Sequence, residues 1–126
     1  MKRLWGCCAL LLVLLGGCLW NSWHIYTLMS ETAVQLEEAQ SHAVEENWDK
    51  ALELTQQVRK SWSDQEFYLK MVLSHRDVDQ ITRGMAQTEE TLIHHSIDQY
   101  APTNRDVVEQ LRILGEMEMP HLVNIL

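Results

Sequence analysis

Imidazoles and carboxylates are the side chains here with the most chemistry to offer. His75 and Asp79 stand four residues apart, so a helix would place both on one face. His95 would add a third ligand of the kind zinc accepts if the chain folded back on that face. Adjacent His94 and His95 would diverge by about 100° on a helix and could not chelate together. His75 also falls at an expected helix boundary, where an imidazole can serve backbone carbonyls instead. Three such residues fall short of a complete metal centre, and no metal or other cofactor is expected. They define one alternative function: a helical bundle that senses a metal or small ligand in a cavity lined by Tyr68, His75 and His95.

General acid/base work would need two carboxylates held at different pKa values. The paired acids Glu37-Glu38, Glu45-Glu46 and Glu89-Glu90 point apart on a helix and lack apolar neighbours that would shift them. No Gly-rich phosphate loop, nucleophile elbow or His-Glu-x-x-His run occurs. No catalytic residue is named, and the chain is not expected to be an enzyme.

One thiol has a distinctive context. Leu15-Gly16-Gly17-Cys18 resembles a lipobox, in which the chain is cut before the cysteine and that cysteine is acylated. Cys18 is therefore a candidate lipidation site, and a lipoprotein attached through it is a second alternative. The residues that follow, Leu19-Trp20 and Trp23 to Tyr26, run apolar and aromatic where a lipoprotein usually has a polar tether. An uncleaved anchor is the main expectation.

That anchor is the clearest element. From Leu4 to Trp20 no side chain but cysteine can ionise, and as a helix this run spans roughly 26 Å at about 1.5 Å per residue. Trp5 at one end, and Trp20, Trp23 and Tyr26 at the other, suit the two headgroup regions. Lys2 and Arg3 precede the run and no base follows until Lys50, which predicts a single-pass protein of the cell membrane, its N-terminus cytoplasmic and its C-terminal domain outside. The expected division is an anchor over 1–27 and an acidic extracytoplasmic domain over 28–126.

Eight bases then face all eighteen acids, and so acidic a surface repels the phosphate backbone, so no nucleic-acid partner is expected. Glu31 to Glu53 holds seven carboxylates against Lys50, a face that would suit a basic loop of a membrane partner close to the outer leaflet. All three cysteines lie in the first eighteen residues, so the domain has no disulfide and no thiolate zinc site.

Beyond residue 20 only Gly84, Gly115, Pro102 and Pro120 punctuate the chain, and no strand-like alternation appears. The expected fold is all-α: a transmembrane helix followed by an up-and-down bundle of four to five helices. Leu28, Ala33, Leu36, Ala39 and Ala43 mark a first amphipathic helix. Asn47 caps a second, carrying Trp48, Ala51, Leu52, Thr55, Val58 and Trp62. Ser63-Asp64 opens a short third through Phe67, Tyr68, Met71 and Val72. Asp77 opens a fourth through Val78, Ile81, Met85, Leu92 and Ile97. After a turn over Gln99 to Asn104, a last helix carries Val107, Leu111, Leu114 and Met117 until Pro120 ends or kinks it, leaving an apolar tail from His121. Ala43 to Leu52 is similar to one tetratricopeptide-type hairpin, but one copy makes a tight helix pair, not a solenoid. Trp23, Trp48 and Trp62 are expected to be structural.

Several of these features recur together. Lys2-Arg3 before the apolar run, the Leu19-Trp20-x-x-Trp23 exit, Asn47-Trp48-x-x-Ala51-Leu52 with Trp62, Phe67-Tyr68-Leu69 to His75, and the closing Leu122 to Leu126 resemble domain-of-unknown-function family 4363. These are small N-terminally anchored helical proteins of Gram-positive, often spore-forming bacteria. The resemblance covers nearly the whole chain and implies an envelope protein with no assigned activity, accessory to a membrane or envelope protein partner.

Overall fold

A computed structural model describes residues 1–125 of the chain, with side chains through Met117. Four helices account for nearly all of it: α1 (Lys2–Val44), α2 (Trp48–Val72), α3 (His75–Ile93) and α4 (Ile97–Ile125). Each packs on its two neighbours around a ring, α1 against α2, α2 against α3, α3 against α4, and α4 back against α1. This is an up-and-down bundle, with no strand among the described residues.

The first helix is one rod with two environments. Residues 1–18 are all exposed, while Ile25, Met29, Ala33, Leu36, Ala39 and Ala43 are buried against the other helices. No break separates the two halves at residues 27 and 28. The window that qualifies as a membrane span lies wholly outside the bundle, and it is the one such helix among the described residues.

Three expected boundaries fall elsewhere. Ser63-Asp64 does not start a helix, because α2 runs through it with both side chains in solvent. The buried stripe Ala51, Thr55, Val58, Trp62 continues to Leu69 at helical spacing, so nothing there favours a break. Phe67 and Met71, expected to mark a helix of their own, point outward on α2. The α3–α4 turn comes at His94 to Ser96, so Ile97 opens α4 rather than closing α3.

Pro102 consequently sits in the second turn of α4, where a turn was expected. It removes one hydrogen bond, to the carbonyl of Asp98, on an exposed part of the helix. Thr103 Oγ1 donates to the next carbonyl, Gln99 O, at 2.8 Å. Burial of Tyr100 and Asn104, four residues apart, holds this turn helical against the bundle. Nor does Pro120 end α4, which continues to Ile125; the side chains of the apolar tail lie outside those described. Met117, expected on the inner face, is exposed.

The core has two apolar clusters. The larger gathers Ile25, Met29, Leu36, Val58, Trp62, Leu69, Ile81, Met85 and Leu111 among others. The smaller, at the end far from the apolar half of α1, is Ala43, Ala51, Leu92 and Tyr100, with Trp48 and Leu52 packed on it. Ala43 and Ala51 are the small residues that let α1 and α2 close tightly, the hairpin role anticipated for this segment. Asn47 stands at the N-cap of α2 as expected, without a side-chain capping bond.

Candidate functional site

Between the two apolar clusters lies a polar layer. Thr55 falls between Ala51 and Val58 on α2, Thr88 between Met85 and Leu92 on α3, and Asn104 between Tyr100 and Val107 on α4; all three are buried. Asn104 Nδ2 donates to Leu36 O and to Gln40 Oε1, both at 3.0 Å, tying α4 to α1. Thr88 Oγ1 donates to Gly84 O. Thr55 Oγ1, Asn104 Oδ1 and the Tyr100 hydroxyl are buried without a hydrogen-bond partner. A polar group at one level of a bundle penalises any slipped register that would strand it among apolar side chains.

Burial pushes the Tyr100 phenol well above its ordinary value. Above about pH 10 an unfolded chain releases this proton while the folded chain keeps it, so folding stability falls as pH rises, by at most about 1.4 kcal/mol per pH unit. Tyr100→Phe is expected to flatten that decline in urea titrations at alkaline pH. At neutral pH it should be at least as stable as the parent, because it removes an unpaired buried hydroxyl.

The metal candidates do not converge. His75 is the first residue of α3 and His95 lies just past its other end, a separation of roughly 30 Å at about 1.5 Å per residue. Asp79 Oδ1 instead receives Lys70 Nζ at 3.2 Å, and that ammonium also meets Glu66 Oε1 at 3.3 Å. Hydrogen bonds to Asp79 and then Glu66 raise the Lys70 pKa. His95 stacks on Trp48, ring centroids 4.8 Å apart. No group of three metal-ligating side chains occurs among the described residues, and none of the described clefts is lined by Tyr68, His75 or His95. Cys18 is exposed on α1.

An open groove of about 780 Å³ runs between α1 and α4. Glu37 and Val44 line it from α1, Glu45 from the turn just after, and Arg105, Arg112 and Ile113 from α4. Arg112 pairs with Glu37 across the floor. Val44 and Ile113 are apolar yet more than half exposed, and Glu109 and Glu116 bring the lining to four carboxylates against two guanidinium groups. Such a surface can seat an apolar side chain and bind a cation beside it. The acidic stretch read from the sequence contributes Glu37 and Glu45 to this groove. Of its remaining acids, Glu46, Asp49 and Glu53 are exposed around the far hairpin, while Glu31 and Glu38 are exposed along α1. Arg105, Arg112 and Ile113 drew no attention in the sequence, because they lie beside the stripe Val107, Leu111, Leu114 rather than on it. Their signal was an apolar residue, Ile113, next to that stripe and flanked by Arg112.

Neither the curated proteins nor the solved structures searched contain a match to this chain. Residues 19–125 match the model of the family described as domain of unknown function (DUF4363), and the chain belongs to that family.

Proposed function

We propose that this protein is a noncatalytic interaction subunit, tethered to the cell membrane by the apolar half of α1 and binding a basic segment of a membrane or envelope protein in the α1–α4 groove. The observation that carries this reading is the groove itself: exposed Val44 and Ile113 beside an excess of carboxylates, built on the same helix that supplies the apolar span. Lys2 and Arg3 ahead of the apolar run, with no Lys or Arg after it until Lys50, support a cytoplasmic N-terminus and a bundle outside. Extraction in mild detergent should recover a stoichiometric protein partner. Ile113→Lys, which introduces a cation and removes the apolar contact, should reduce that recovery at least tenfold, while Gln57→Ala on the exposed side of α2 should leave it unchanged. A monodisperse monomer under several extraction conditions would overturn the proposal.

The mode of attachment has a second reading, favoured by the exposure of Cys18 and by a family match that begins at the next residue. Mass spectrometry of the membrane-extracted protein separates the two. An intact N-terminus supports the spanning helix; a mature chain starting at a diacylated Cys18 replaces it with a lipid anchor.

A further inference from the structure

The apolar half of α1 is short for its task once the bundle is taken into account. Burial begins at Leu19, so the free apolar stretch is Leu4 to Cys18, roughly 22 Å of helix at about 1.5 Å per residue, against a hydrocarbon core of about 30 Å. Extending the stretch to Trp23 closes the gap, at roughly 30 Å. That extension lowers the near end of the bundle into the outer interface of the bilayer.

The side chains at this level suit such a position. Trp20 and Trp23 are exposed on α1. The Tyr68 hydroxyl donates to Asn21 Oδ1, and the Tyr68 ring meets His24 edge-on with centroids 5.9 Å apart, which fixes the last turns of α2 beside residues 21–24. Flanking Tyr68 on the outside of α2 are Phe67, 80 % exposed, and Met71, 71 % exposed, four residues apart on one face. Neither belongs to the core. Of the nearby charges, Lys70 bridges Glu66 and Asp79, Asp64 is exposed one turn before Phe67 and Arg76 is exposed at the start of α3, while the exposed acids Glu45, Glu46 and Asp49 lie at the opposite end of the bundle.

Resting on the reading of α1 as a membrane span, we propose that Phe67 and Met71 form a second membrane contact, inserting into the outer lipid interface beside Trp20 and Trp23 and setting the bundle upright on the bilayer. The occupant of this apolar face is lipid, because Tyr68 sets the face at the level of residues 21–24, where the apolar span runs short of the bilayer thickness. An aromatic ring and a thioether side chain beside charged residues suit the headgroup boundary, where apolar and polar groups meet.

The test uses the full chain with Cys7, Cys8 and Cys18 replaced by Ser, reconstituted into phosphatidylcholine vesicles containing phosphatidylglycerol. Nitroxide labels are placed singly at Leu11→Cys, Gln57→Cys, Phe67→Cys and Met71→Cys, all exposed or outward positions. Collision with oxygen, which partitions into lipid, is compared with collision with a water-soluble nickel chelate. Positions 67 and 71 should show an oxygen-to-nickel ratio several-fold above that at 57 and below that at 11. If 11 reads as lipid while 67 and 71 match 57, the second contact is overturned and the anchor stands. If 67 and 71 are shielded from both collision partners, protein rather than lipid covers the face and the proposal fails. An aqueous reading at 11 overturns the anchor and the second contact together.

Discussion

Trp62→Ala is expected to cost about 3–5 kcal/mol, the range for removing a large aromatic side chain from a packed core. Trp62 is only 4 % exposed and joins the larger apolar cluster between α2 and α3. Its indole Nε1 donates to Thr82 Oγ1 at 2.9 Å, and that hydroxyl donates onward to Val78 O at 2.9 Å. Truncation therefore opens a void and removes one of the hydrogen bonds that link α2 to α3. A domain of this size has about 5–15 kcal/mol of total stability, so the variant should lie close to unfolding. Urea titration of the full chain in mild detergent, followed by helical circular dichroism, should show the midpoint falling with little change in slope. Trp62→Phe keeps most of the volume and should cost far less.

The two other tryptophans expected to be structural separate from Trp62 on this measure. Trp48 is half-buried and held by its stack on His95, so Trp48→Ala removes less packed volume. Trp23 is exposed, with its ring 6.4 Å from that of Tyr26. Its replacement should leave urea stability in detergent almost unchanged. Sequence pattern alone ranked Trp48 and Trp62 together because both lie on the stripe of α2. Burial separates them by height, since Trp48 stands at the open end of the bundle and Trp62 in its middle.

The same contrast explains which parts of the fold were legible. Stripes were clear: Ala51 to Trp62, Val78 to Leu92 and Val107 to Leu114 carry the core at helical spacing. The apolar span was equally clear from its length and its lack of charge. Helix ends were harder, because none of the three turns contains Gly or Pro. The chain leaves α2 through an extended Leu73 and leaves α3 through His95 at φ 53°. A left-handed conformation at a non-glycine residue is unfavourable locally, and here the Trp48 stack accompanies it. Glu46 at φ 64° closes the α1–α2 turn in the same way. Tertiary packing therefore sets these ends, while Pro102, the strongest local breaker in the middle of the chain, is absorbed by α4. The groove was only half legible for a related reason. Its α1 wall lies within a run of acids that stands out in the sequence, whereas Arg112 and Ile113 acquire meaning only when α4 is laid against α1.

Gly84 carries the second large prediction, and its meaning changes once α4 is in place. As a residue of a helix interior it is a weakness, since Ala would be better there by about 1 kcal/mol. In the bundle, a Cβ at Gly84 would stand 2.5 Å from Val107 Cγ2, far inside van der Waals contact. Val107 is buried, and its β-branched side chain has little rotamer freedom in a helix with which to retreat. The close approach of α3 and α4 thus depends on the missing side chain. Gly84→Val should meet or exceed the upper part of the about 1–3 kcal/mol typical of overpacking, because its own branched side chain enlarges the clash. Gly84→Ala should be mildly destabilising, its helix-propensity gain opposed by the contact. Combining Gly84→Ala with Val107→Ala should recover stability relative to the sum of the single variants, with a coupling of at least about 1 kcal/mol in a double-mutant cycle. Additive costs would mean that the helices separate freely at this level. Gly115 has a gentler version of the same role against α1, where an added Cβ would lie 3.3 Å from Met29 Cβ. Both glycines permit helix contact on the faces of α4, and the tighter one fixes where α3 can cross.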